Sequence, residues 1–107
     1  MNFLRTIVEH KYEEVTRRKN SHSRSSLESL EFFERSPLSL RTSLHKEPFG
    51  IIAEIKRSSP SAGTLQKNAL PQVIAREYEA HGAAAVSVLT DERFFSGTIN
   101  DLQEVRN

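Results

Sequence analysis

The first residues of the chain carry a helical pattern of apolar positions. Apolar side chains recur there at spacings of three and four, which is one stripe of an amphipathic helix. The positions are Phe3, Leu4, Ile7, Val8, Tyr12 and Val15. The polar run of serines after Asn20 predicts that this helix fades there and a loop follows.

A second helix is predicted from the residues that follow. Ser25 and Glu28 have the spacing of a capping box, in which a hydroxyl and a carboxylate satisfy the free N–H groups of a helix start. Pro37 would end this helix, and a short third turn is predicted over residues 39–46. The buried face of the second helix would consist of Leu27, Leu30, Phe32 and Phe33.

The period of the pattern changes at residue 49. Residues 49–55 and 83–89 are short runs rich in apolar residues, which predict two strands. Between them the sequence predicts a helix from Pro71 to His81, because proline suits a first turn and Gly82 suits a helix end. Strand, helix and strand in this order form a βαβ unit with parallel strands.

Each predicted strand is followed by a loop. Residues 58–63 are rich in serine, proline and glycine, and residues 89–98 follow the second strand. Thr98 and Asp101 have the spacing of another capping box, which predicts a further helix. Two parallel strands need further neighbours and cover on both faces, so the pattern indicates the opening of a larger α/β fold.

Composition and charge exclude several classes of protein. The 107 residues include 15 Lys and Arg against 14 Asp and Glu, and a net charge of +1 argues against a protein that coats a polyanion. With no cysteine, the chain has no disulfide scaffold, thiolate zinc site or thiol nucleophile. No run of 18 apolar residues exists, so no membrane span is expected. Four scattered histidines predict no metal site.

The densest positive run consists of Arg17, Arg18 and Lys19, with Arg24 close behind. Contact with nucleic acid is one interpretation, but no aromatic residues are interleaved with these cations. The favoured interpretation is a solvated helix end, where cations interact well with the helix dipole. No nucleic-acid partner is therefore expected.

The residues around Ile55 offer the clearest candidate chemistry. Alternation along a strand places Ile52, Glu54 and Lys56 on one face. A carboxylate and an ammonium at the carboxyl end of a parallel strand can pair, tune each other's pKa and meet an anionic substrate. The alternative is a solvated edge strand whose charged pair only keeps it soluble.

A second candidate region follows the second strand. Phe94 and Phe95 are adjacent aromatics, which are costly to leave in water. At least one of them should line a pocket or cap the core, and the favoured interpretation from the pattern alone is that both fill the core.

Three stretches of the sequence carry a family resemblance. Residues 51–61, IIAEIKRSSPS, closely resemble the first strand and loop of indole-3-glycerol phosphate synthase. Residues 78–91, YEAHGAAAVSVLTD, are similar to that family's next helix end and second strand. FFSGT at residues 94–98 resembles the loop that follows, and the N-terminal half resembles the family's helical extension.

The resemblance implies the N-terminal part of a (β/α)8 TIM barrel with a helical extension. Residues 1–48 would be the extension, and residues 49–107 the first strand–helix–strand unit with the start of the next helix. A complete barrel has about 250 residues. This incomplete barrel, with two parallel strands, would lack the third-strand lysine, the fourth-strand glutamate and the phosphate site. We therefore expect a fragment that is inactive alone.

The resemblance also implies a function in tryptophan biosynthesis. The family is a cytoplasmic carboxy-lyase that closes the indole ring of carboxyphenylamino-deoxyribulose 5-phosphate, with loss of carbon dioxide and water and without a cofactor. By position, Glu54 and Lys56 would be catalytic, while Ser59 and Phe95 would bind the substrate. The alternative is a non-catalytic module whose helices, over residues 3–19 and 27–35, mediate self-association.

Overall fold

The computed structural model of the chain describes residues 2–65 and 68–107. The chain forms two compact units, Met1–Leu38 and Ser39–Asn107. The domain boundary predicted from the sequence, after residue 48, stays a prediction. Within the described ranges, no helix is long and apolar enough to cross a membrane.

The first unit contains the predicted N-terminal helix. Helix α1 spans Phe3–Ser21, and the side chain of Asn2 caps it by accepting a hydrogen bond from the Arg5 N–H at 3.1 Å. The predicted helix is thus confirmed. Its apolar stripe is largely exposed, and no residue of α1 is buried.

The prediction for the second helix was partly wrong. Helix α2 spans only Arg24–Glu28. Its cap is Ser23, whose hydroxyl accepts from the Ser26 N–H at 3.1 Å, and Glu28 pairs with Arg24 at 2.7 Å instead of closing a capping box. The helix is too short to bury an apolar face, so the side chains expected there are exposed: Leu27, Leu30, Phe32 and Phe33.

One residue of the basic run at the end of α1, Arg18, is paired within the helix. Arg18 lies 2.6 Å from Glu14, one turn away, and Lys11 donates to the same carboxylate at 2.6 Å. The hydrogen bond from Lys11, together with the nearby positive charges, holds the pKa of Glu14 below its usual value. These pairs are typical of a solvated helix surface.

The second unit contains the predicted βαβ pattern with additional short elements. In chain order its elements are α3 (Leu40–Leu44), β1 (Ile52–Ile55), β2 (Ser58–Ser59), β3 (Gly63–Thr64), α4 (Pro71–Ala80), β4 (Ala85–Val88), α5 (Glu92–Phe95) and α6 (Ile99–Arg106). Helix α3 joins this unit through the Ser43 hydroxyl, which donates to the Ala84 carbonyl. The third turn expected over residues 39–46 is confirmed.

Strands β1 and β4 are parallel, as the sequence predicts. Their register places Glu54 opposite Ser87 and Ile55 opposite Val88. Burial alternates along β1, since Ile52 and Glu54 are exposed whereas Ile55 is only 5% exposed. The strand therefore has one covered and one open face.

Helix α4 covers the buried face of the two strands and also packs against α6. Pro71 begins the helix, where its missing N–H costs no hydrogen bond, and Ala75 is buried on the inner side. After the helix, Gly82 has a φ of +93°, a conformation that other residues rarely adopt. The helix predicted from Pro71 and Gly82 is confirmed.

Both predicted loops contain regular structure. Over residues 58–64, β2 pairs antiparallel with β3, and Gly63 has a φ of +68°. The loop after β4 contains α5, which begins because the Asp91 carboxylate accepts from the Phe94 N–H at 2.6 Å. It ends at Ser96, in the left-handed conformation with φ +55°.

Candidate active site

Glu54 and Lys56 form the centre of the candidate site. The Lys56 Nζ lies 3.4 Å from the Glu54 Oε2, and the two side chains are 35% and 44% exposed, respectively. Glu54 lies in β1 and Lys56 directly follows the strand, and the two-residue spacing places both on its open side, opposite the face that α4 covers. The sequence-predicted pairing of these two residues is confirmed.

The strand beneath the pair is held from both sides. The Tyr78 hydroxyl, from α4, donates to the Glu54 carbonyl at 3.2 Å. On the β4 side, the Leu89 N–H donates to the Ile55 carbonyl at 3.3 Å, which extends the pairing of the two strands. The backbone of Glu54 and Ile55 is thus fixed, while the paired side chains of Glu54 and Lys56 lie on the open side of the strand.

The segments after β1 and β4 meet where the two parallel strands end. The Ser58 and Ser96 hydroxyl oxygens lie 2.7 Å apart, and α5 packs against β2. Because the carboxyl ends of parallel strands share one edge of a sheet, both segments border the same region as Lys56. This edge is where open α/β sheets and barrels bind ligands.

Ser59 and Phe95 lie in these two segments. The Ser59 hydroxyl accepts from the Ala62 N–H at 3.0 Å, which shapes the turn of the hairpin. Phe95 is the last residue of α5 and is half-buried. Across residues 2–65 and 68–107, no hydrogen bond or ion pair joins Ser59 to Glu54 or Lys56. Of the four predicted site residues, Glu54 and Lys56 are in direct contact, whereas Ser59 and Phe95 lie in the segments that border them.

An ion pair that the sequence did not predict lies beside the site. The Arg57 Nε and Nη2 donate to the two carboxylate oxygens of Asp101, each at 3.0 Å. The Arg57 Nη1 donates to the Ala69 carbonyl at 2.8 Å. With side-chain exposures of 17% and 11%, the two charged groups are largely removed from water.

The pair fixes the ionisation of both groups. The hydrogen bonds from Arg57 hold the pKa of Asp101 below its usual value, and its contact with Thr98 acts in the same direction. The carboxylate of Asp101 raises the pKa of Arg57 in turn. Asp101 therefore stays charged near neutral pH and does not act as an acid there.

One signal in the sequence could have revealed this pair. The alternation that places Ile55 on the covered face also places Arg57 there, if the extended backbone continues by two residues. A cation on a covered face needs a carboxylate partner. The sequence predicts for Asp101 only a place in a capping box, and half of that box is present: the Asp101 N–H donates to the Thr98 hydroxyl at 3.1 Å.

Comparison with known proteins identifies the family of the chain. The family model of indole-3-glycerol phosphate synthase matches residues 4–107. The chain belongs to the indole-3-glycerol phosphate synthase family. The match includes both the N-terminal helix and the βαβ unit, so the resemblance found in the sequence is confirmed.

Relatives of the same name match long stretches of this family member. The indole-3-glycerol phosphate synthase of Oceanobacillus iheyensis is 44% identical over 108 residues, covering 98% of this chain and 39% of the relative. That of Leptospira interrogans is 54% identical over 68 residues, covering 64% and 27%. That of Burkholderia multivorans is 57% identical over 56 residues, covering 52% and 22%. The chain therefore spans less than two fifths of the length of these relatives.

Proposed function

We propose that this chain supplies the Glu54 and Lys56 side chains of an indole-3-glycerol phosphate synthase active site. The observation that carries the proposal is their 3.4 Å pairing on the open face of a parallel strand. The family assignment supports it, because the pair lies in the stretch that resembles the family's first strand. A solvated edge strand is the weaker interpretation, because the family match covers both strands of the pair, although β1 has one strand neighbour here.

In this proposal β1 and β4 are the first two strands of a (β/α)8 barrel, and α4 is the helix that connects them. Parallel pairing and a helix on one face of the sheet are the features of a βα barrel wall. The open face, with Ile52 and Glu54, then corresponds to the barrel interior. Helices α1–α3 correspond to the family's N-terminal extension.

The proposed reaction is a ring closure with loss of carbon dioxide and water, and the enzyme is a lyase. A bond forms between the aryl carbon that bears the carboxylate and the ketone carbon of the sugar chain, while the ketone oxygen accepts a proton. The carboxylate leaves as carbon dioxide, and its bonding electrons restore the aromatic ring. The hydroxyl then accepts a second proton and leaves as water, while the carbon next to nitrogen loses a proton and the C=C bond of the indole forms. This chemistry requires a cation near the carboxylate, a proton donor at the ketone and an apolar slot for the arene.

Each candidate residue has a role in this chemistry. The ammonium of Lys56 binds the substrate carboxylate and assists proton transfer, and Glu54 holds that ammonium in place. The Ser59 hydroxyl lies near the substrate in the hairpin after β1. Phe95 packs against the aromatic ring. No metal or cofactor is part of this proposal.

We propose further that the 107-residue chain alone does not turn over the substrate. Two strands provide one part of a barrel's mouth, whereas barrel sites are assembled from the ends of several strands. In the family, the principal lysine acid and the phosphate site belong to later strands. The chain thus contributes one part of the site.

A chimera with a relative tests the proposed function. The chain replaces the matching 108-residue stretch of the Oceanobacillus iheyensis synthase, to which it is 44% identical. We expect the chimera to convert carboxyphenylamino-deoxyribulose 5-phosphate to the indole product, followed by indole fluorescence. In the chimera, Lys56→Met should lower kcat by about 100-fold or more, the range of a proton-transfer group.

The matched control is Lys46→Met, the same substitution at an exposed lysine outside the strands. It should leave kcat within about twofold of the chimera. Thermal unfolding of both variants shows whether they are folded. A folded Lys56→Met chimera with undiminished kcat would overturn the assignment of Lys56.

Self-association is the second candidate function, and one observation favours it. Large apolar side chains are exposed in both units, among them Leu30, Phe32 and Ile51. Exposed apolar surface of this kind often marks an interface. Light scattering after size exclusion tests it, since a monomer at high concentration would exclude this function.

A further inference from the structure

The side chain of Arg57 closes the segment that follows β1. Its guanidinium donates to the Ala69 carbonyl at 2.8 Å, so that the second residue of the segment is bonded to the second residue before α4 begins. The Arg57 carbonyl also accepts from the Leu65 N–H at 2.7 Å, which extends the pairing of the hairpin. The segment that carries Ser59 is therefore held at its base by one residue.

Asp101 determines the direction of that guanidinium. Its two oxygens accept from two nitrogens of Arg57, and a bidentate contact fixes the plane of the guanidinium as well as its distance. Asp101 is itself fixed, because it lies in the first turn of α6 and its N–H is bonded to the Thr98 hydroxyl. Through Asp101 and Arg57, α6 therefore fixes the position of the two ends of the segment after β1.

We propose that Arg57 and Asp101 are positioning residues for the synthase reaction. They hold the backbone next to Lys56, and the β2–β3 hairpin with Ser59, over the ends of the strands. This inference rests on the proposed function of Lys56 and Ser59. Neither Arg57 nor Asp101 needs to touch the substrate in this role.

The separate sheet of β1 and β4 is held by bonds that do not involve this pair. The Ala84 N–H donates to the Ile51 carbonyl at 2.9 Å at the other end of β1, and β4 pairs with β1 through the backbone. Loss of the ion pair should therefore loosen the hairpin while the strands stay paired. If the pair only stabilised the unit as a whole, its loss would loosen the hairpin and the β1–β4 strands to the same extent.

Amide hydrogen exchange of the 107-residue chain tests the proposal. The variant Asp101→Asn keeps the size of the side chain but removes the charge that orients Arg57. We expect the protection of the Ala62 and Leu65 amides to fall about tenfold or more, while that of Ala84 changes less than about threefold. Glu104→Gln, the same change at an exposed carboxylate on α6, is the matched control and should leave all three unchanged.

A measurement on the unsubstituted chain avoids any failure of the variant to fold. Carbon-13 NMR follows the protonation of the Asp101 carboxylate as the pH falls. Over the same pH range the Leu65 amide should lose its protection, while the Ala84 amide stays protected. Equal loss at Leu65 and Ala84, or no loss at Leu65 on protonation, would overturn the positioning role. Because these measurements report order and not turnover, an inactive chimera would count against the proposed function alone.

Discussion

Gly97 provides the sharpest test of the packing after β4. It is buried, and its N–H donates to the Asp91 carbonyl at 2.8 Å, which closes the loop around α5. A Cβ at this position would lie 1.7 Å from the Leu89 carbonyl oxygen and 2.7 Å from its carbonyl carbon. Both are backbone atoms, so no side-chain rotation can relieve the overlap in Gly97→Ala.

The cost of Gly97→Ala can be worked out from these contacts. A carbon and a carbonyl oxygen normally approach to about 3.3 Å, so the loop must open by roughly 1.5 Å. Overpacking costs about 1–3 kcal/mol, and loss of the Gly97 hydrogen bond about 1 kcal/mol more. Together these give a loss of about 3 kcal/mol in the free energy of unfolding. A unit of this size has about 3–10 kcal/mol in all.

Urea unfolding followed by two-dimensional NMR measures this loss, because signals of residues 39–107 can be followed apart from those of α1. At about 1 kcal/mol per M of urea, the midpoint should fall by roughly 3 M. The matched control is Gly63→Ala, which has open space around the Cβ but a φ of +68°. That variant should lose only about 1 kcal/mol. Equal midpoints for the two variants would refute the steric argument.

Three further predictions follow from single contacts. Thr98→Ala removes the hydroxyl cap of α6 and should cost about 1 kcal/mol in urea unfolding, whereas Thr98→Ser should restore most of it. Because folding lowers the pKa of Asp101, the stability that its carboxylate gives the hairpin after β1 is complete above its ordinary value near 3.8 and is lost as the pH falls through the folded value. Asp101→Asn should therefore remove the pH dependence of the Leu65 amide protection in that acid range. Ser43→Ala removes the bond to the Ala84 carbonyl and should lower stability by about 1 kcal/mol, and an unchanged midpoint would contradict the contact.

Much of the second unit could be predicted from the sequence because local rules agree there. The alternation around Glu54, the proline at residue 71 and the glycine at residue 82 each fix one element without help from distant residues. Parallel strands follow from the helix between them. The pairing of Glu54 with Lys56 needs only the two-residue period of a strand, so this part of the site could also be predicted from the sequence.

The rest depends on contacts between residues that are distant in sequence. Arg57 and Asp101 are separated by 44 positions, and only the packing of α6 shows which carboxylate meets the guanidinium. The predicted buried face of the second helix was wrong for another reason. Ser23 starts α2 earlier and the helix ends at Glu28, so the apolar residues beyond it follow no helical period.

The account depends most on the placement of Glu54 and Lys56 on the open face of a parallel strand, and nuclear Overhauser effects in the labelled chain measure that placement directly. We predict cross-strand effects between Glu54 and Ser87 in the parallel register, together with effects between the Glu54 and Lys56 side chains. Contacts of either side chain with Ala75 on the α4 side, or an antiparallel register, would contradict the account.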